Sequence, residues 1–166
     1  MYYRFGKVFH FISVLIFTFS FLYIYASLSE IVAYQLDENG GFLKSVPKET
    51  FFYSGIILFI ILNVIMIVPG KMIENGSTVS LKRIFPKGEY LTDVMIAWIY
   101  SFGGIINISL MIMALFVHSI NNQNEISSNQ FSFFFYLIPV LLVIWIGGLF
   151  WILVQKFKSV QSNSLL

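Results

Sequence analysis

Two histidines, His10 and His118, are the residues best suited to acid–base or metal chemistry, because imidazole titrates near neutral pH and ligates haem or transition metals. Their spacing argues against a shared site. His10 opens the first long apolar run and His118 closes the third, so spanning helices would hold them about 30 Å apart, a full bilayer core. A bis-histidine haem or a two-histidine metal centre within this chain is excluded on that reading, and each histidine is expected to sit solvated at a membrane border. The chain has no cysteine, which removes disulfides, thiol nucleophiles and cysteine-based iron–sulfur or zinc sites.

Asn63 and Asn107 are the most polar side chains inside the apolar runs, and an amide in hydrocarbon needs a bonding partner. Counting about 1.5 Å per residue from the inner end of each run places Asn63 about 8 Å deep, level with Ser13, and Asn107 about 20 Å deep, level with Ser20. At those heights the two amides do not reach each other. One reading is a neutral intramembrane site for a substrate or ion. The stronger reading is interhelical bonding, worth about 0.6 kcal/mol per bond.

No Asp, Glu, Lys or Arg interrupts the four apolar runs. Ion-coupled transport and buried acid–base catalysis both rely on such groups, so the pattern counts against them. No HExxH, Ser-x-x-Lys pair or glycine-rich phosphate loop occurs, and Lys82-Arg83 is too brief for a strong nucleotide site. With Lys87 it reads instead as a contact for lipid headgroups or for a partner protein. Neither an enzyme nor a cofactor is expected, and nothing implies nucleic acid.

The elements that must position these residues follow from composition. Of 166 residues 58% are hydrophobic and 11% charged, against about 25% charged in soluble domains. A span needs about 20 apolar helical residues, and four segments qualify: 8–28, 51–68, 94–117 and 133–154. Their apolar residues do not alternate as barrel strands would. The expected fold is an all-α integral membrane protein, a single four-helix bundle with no soluble domain. The first run exceeds the about 7–15 apolar residues of a signal peptide and is read as an anchor.

Basic residues set the orientation. Arg4 and Lys7, then Lys71, Lys82, Arg83 and Lys87, then Lys156 and Lys158 fall on one side, with Lys44 and Lys48 on the other. The positive-inside rule makes both termini cytoplasmic. At the helix ends, Pro47 suits the first turn of the second helix and Pro69-Gly70 its close, while Thr92 or Asp93 caps the third. The "TVSLKRIF" segment of the central loop is read as a short strand or an interfacial stretch.

Gly103-Gly104 and Gly147-Gly148 lie at nearly one level and, with Ala97 and Ser101, predict a close crossing of the third and fourth helices. The motif "FFY" occurs twice, at 51–53 and 134–136. Both copies open an inward-running helix, so they read as an aromatic border and not as a ligand box. Identity at the offset joining them hardly exceeds chance, which leaves a duplication of two hairpins undecided. Trp145 is deeper than a border requires and is expected to touch a partner helix.

Together these readings describe a non-catalytic small integral membrane subunit, or an assembly or stabilising factor, of a larger inner-membrane protein complex. Its neighbours would be the lipid bilayer and other integral membrane subunits. The abundance of Ile, Phe, Asn and Tyr beside scarce Ala is what A/T-rich codons produce, and points to a bacterial source. The alternative is a small facilitator, or a carrier of lipid or another small molecule, with a neutral site around Asn63 and Asn107.

Overall fold

The structure, a computed structural model, describes residues 2–36, 41–122 and 132–163. In chain order the elements are α1 (Tyr2–Ser27), β1 (Ile31–Leu36), β2 (Phe42–Pro47), α2 (Lys48–Asn75), α3 (Val79–Ile84), α4 (Tyr90–Asn121) and α5 (Ser132–Asn163). The four longer helices, α1, α2, α4 and α5, are long and apolar enough to cross a membrane. Each of these except α1 outlasts its apolar run at both ends; α1 starts earlier and stops at Ser27. Hydropathy marks only lipid depth, whereas backbone hydrogen bonding carries a helix on into the headgroup layer.

α2 shows this best. Pro69 lies inside it; the missing N–H costs one bond, a loss a membrane helix tolerates where its neighbours pack well. The helix instead ends at Gly76, in the left-handed conformation (φ 60°, ψ 54°). Gly76 N–H donates to Ile73 O (3.1 Å) and Ser77 N–H to Met72 O (3.1 Å), which is a Schellman close that glycine permits. The expected stop at Pro69-Gly70 is therefore corrected by two turns.

The central loop also differs from expectation. "TVSLKRIF" holds α3, a single short helix whose Thr78 Oγ1 accepts from Leu81 N–H at 3.2 Å. That cap, with Lys82 and Arg83 beside the C-terminal dipole, outweighs the strand preference of its β-branched residues. At the start of α4 the N-cap position belongs to Glu89, not to Thr92 or Asp93. The Thr92 hydroxyl donates to Glu89 Oε2 at 3.3 Å, one turn too late to cap.

β1 and β2 form an antiparallel hairpin between α1 and α2, with Val32 opposite Val46 and Ala33 opposite Ser45. A lone hairpin is marginal in water, and this one is tied down. Ala33 N–H donates to Asn121 Oδ1 (2.9 Å), and Asn121 Nδ2 donates back to Ala33 O (2.7 Å). The asparagine amide thus takes the place of a third strand at the end of α4. Lys48 Nζ donates to Leu28 O (2.7 Å), joining the start of α2 to the end of α1.

α4 is the hub. A third of its apolar window is buried, against none of that of α2. One apolar cluster centres on Phe17, Phe21, Ile24 and Ala114, beside the hairpin. A second, at the other end, joins Ile73, Met95, Ile99 and Ile152. α1 packs most closely on α4 and runs parallel to it, whereas α2 and α5 run antiparallel to α4, and α5 packs mainly on α4. The start of α1 and the end of α5 therefore share one end of the bundle.

Candidate functional site

The intramembrane polar residues converge where α1, α2 and α4 meet. Asn63 Nδ2 donates to Asn107 Oδ1 at 2.8 Å, and Asn107 Nδ2 donates back to Asn63 Oδ1 at 3.2 Å. Asn107 Nδ2 also donates to Ser13 Oγ (3.0 Å), whose hydroxyl donates to His10 O (2.7 Å). The second amide hydrogen of Asn63 goes to Phe59 O (2.8 Å), closing a turn of its own helix. With both amide hydrogens of Asn63 assigned, its Oδ1 is an acceptor. His10 Nε2, 2.8 Å away, therefore carries a proton and donates to it.

The direct Asn63–Asn107 bond overturns the expected separation in height, because the inner ends of the two apolar runs do not lie at one level. Gly70 faces Ile99 and Tyr100, and seven residues further along each of these antiparallel helices Asn63 comes level with Asn107. Ser13 joins as a partner of Asn107 and not of Asn63. Ser20 is about two turns further along α1 and takes no part.

Both histidines depart from the solvated border expected of them. His10 is half-buried in the cluster, its ring edge-on to Tyr100 with centroids 5.9 Å apart. His118 is buried at the other end, its Nδ1 3.3 Å from Ser27 Oγ. The Ser27 hydroxyl donates to Ile24 O, so the histidine is the donor in that pair. The longer helices also bring in charges absent from the apolar runs. Lys7 pairs with Glu74 across α1 and α2, and Lys156 with Glu89 across α5 and α4. Lys156 is only 4% exposed, so this pair clips the outermost helix to the hub in a partly desolvated setting. The Lys7 ammonium also lies over the rings of Tyr3 (5.2 Å) and Tyr100 (5.3 Å).

The glycine pairs separate. A Cβ on Gly103 would lie 3.0 Å from His10 Cδ2, and one on Gly104 2.5 Å from Phe9 Cε1. The pair on α4 therefore seats α1, with Gly6 pressed against the Ala97 backbone. On α5, Gly147 has nothing within 4 Å of a Cβ and Gly148 reaches only Trp98, at 3.8 Å. The expected glycine crossing of α4 and α5 is thus replaced by a tryptophan spacer: Trp98 Nε1 donates to Trp145 O at 2.9 Å. A bulky indole between the two helices keeps them apart.

Trp145 itself is half-buried with its indole N–H enclosed, whereas Trp151 faces outward. In the central loop Lys82 packs over Gly76, Arg83 is exposed, and Lys87 lines a cleft with Glu74 and Asp93. Sequence reasoning missed both ion pairs, the histidine contacts and Asn121. "IVAYQLDENGGFLKSVP", two β-rich runs around a glycine turn, was the available signal for the hairpin.

Chemically the cluster satisfies itself but for one acceptor position on Asn107. Asn63 uses all four of its hydrogen-bonding positions on protein partners, and Asn107, fully buried, uses three. The chain matches no family model, no curated protein and no solved structure, so its own geometry is what bears on function.

Proposed function

We propose that the chain is a non-catalytic membrane subunit, or a stabilising factor, that works by lateral contact with another integral membrane protein. Both termini are cytoplasmic in this reading, following the positive-inside distribution, and the membrane is a bacterial inner membrane. The near-complete closure of the polar cluster carries the proposal. A substrate site keeps donors or acceptors in reserve for its ligand, whereas Asn63, Asn107 and Ser13 bond to one another and to the backbone. Such a network orients helices.

Two further features support it. α5 packs mainly on α4 and leaves Val140, Val143, Ile144 and Phe150 exposed, a face open to another protein's helix. The central loop adds Arg83 and Lys87 at the cytoplasmic border for polar contacts.

The test is the paired substitution Asn63→Leu and Asn107→Leu in cells that depend on the protein. The expected outcome is a less stable chain whose residual folded fraction still supports the phenotype. Abolished uptake or activity with folding and assembly intact would favour a facilitator or carrier with a neutral site at these asparagines.

A further inference from the structure

At the end of the bundle shared by the start of α1 and the end of α5, the beginning of α4 and the last turns of α5 border an open, shallow groove. Tyr90 and Leu91 form one wall; Trp151, Gln155, Lys158 and Ser159 form the other. The spacing of these last four, at i, i+4, i+7 and i+8, puts them on one helical face. α5 packs mainly on α4, and Tyr90, Trp151 and Lys158 are exposed, so the groove lies on the outer face of the bundle.

Depth and charge give the groove its chemistry. The apolar run of α5 ends at Val154, and residues 155–159 climb from about 1.5 to about 7.5 Å beyond it. That interval is the headgroup layer, about 5 to 7 Å thick on each side of the hydrocarbon. Trp151, 57% exposed, and Tyr90, 62% exposed, stand at the boundary where amphipathic rings are favoured. Lys156 is committed to Glu89, but Lys158 has no ion pair among the described residues. Among the described residues no carboxylate lines the groove, so a headgroup ammonium finds no counter-charge from them and a phosphate finds a lysine and an amide.

We infer that this groove binds an anionic phospholipid, its phosphodiester at Lys158 and Gln155 and its first methylenes over Trp151 and Leu91. The site is separate from the basic central loop, and it holds whether or not the chain has a protein partner. One lysine near the surface gives a preference of about fivefold for an anionic over a zwitterionic lipid.

The test is native mass spectrometry of the purified full chain with phosphatidylglycerol and phosphatidylethanolamine at equal concentration. The wild type retains phosphatidylglycerol about fivefold better. Lys158→Gln abolishes that preference, Lys158→Arg keeps it, and Lys71→Gln, an exposed lysine outside the groove, keeps it. A folded Lys158→Gln that keeps the preference overturns the inference, and Lys158→Met at the same exposed position gives the same reading should Lys158→Gln fold poorly. Equal retention of the two lipids, or equal loss in Lys71→Gln, overturns the inference. Displacement of the lipid by millimolar inorganic phosphate would show a free-phosphate site and overturn it too.

Discussion

Asn107 is the residue on which the interior turns, since one side chain joins α4 to both α1 and α2. Intramembrane bonds average about 0.6 kcal/mol and reach about 1.7, so Asn107→Leu should destabilise the bundle by about 1 to 2 kcal/mol. A double-mutant cycle with Asn63→Leu, followed by unfolding from mixed micelles, should give a coupling between about 0.6 and 1.7 kcal/mol. Additive losses would show that the amide pair is not formed. The sequence exposed both asparagines, because an amide is conspicuous in an apolar run. It did not pair them, because pairing depends on how α2 and α4 are levelled against each other, which tertiary contacts such as Gly70 against Ile99 and Tyr100 decide. His10 was undervalued because the residues that engage its ring, Asn63 and Tyr100, come from other helices.

The decisive packing between elements is α1 on α4, and glycines set its distance. A Cβ on Gly6 would lie 2.7 Å from Ala97 O and 3.1 Å from Ala97 Cα. Backbone atoms cannot step aside as a side chain does, so Gly6→Ala should cost about 1 to 3 kcal/mol. Gly147→Ala meets nothing within 4 Å and should be neutral or stabilising by up to about 1 kcal/mol through helix propensity. Thermal unfolding in detergent checks both, and equal losses would contradict this packing. Small residues were legible as packing positions, but not which helix they face. Facing is fixed by the bulk opposite, and Trp98 fills the space where a glycine crossing with α5 was expected. The four spans were legible since length and hydropathy suffice for them, whereas the hairpin and α3 depend on side-chain bonds from Asn121 and Thr78.

At the scale of the molecule, three helices are tied by a shared polar cluster, and the fourth is held by an ion pair, a tryptophan and the apolar packing around Ile152. Such an architecture suits a scaffold whose outer helix is available to a neighbour. Its orientation has a direct check, because the chain lacks cysteine. A Lys44→Cys variant should react with an impermeant maleimide from outside the cell, and labelling only from the cytoplasmic side would reverse the topology. The central claim, that the protein acts by association, is tested most directly by native mass analysis after extraction from its own membrane in mild detergent. The account predicts a reproducible, stoichiometric complex with another integral membrane protein. A clean monomer, or a plain homodimer, would contradict it.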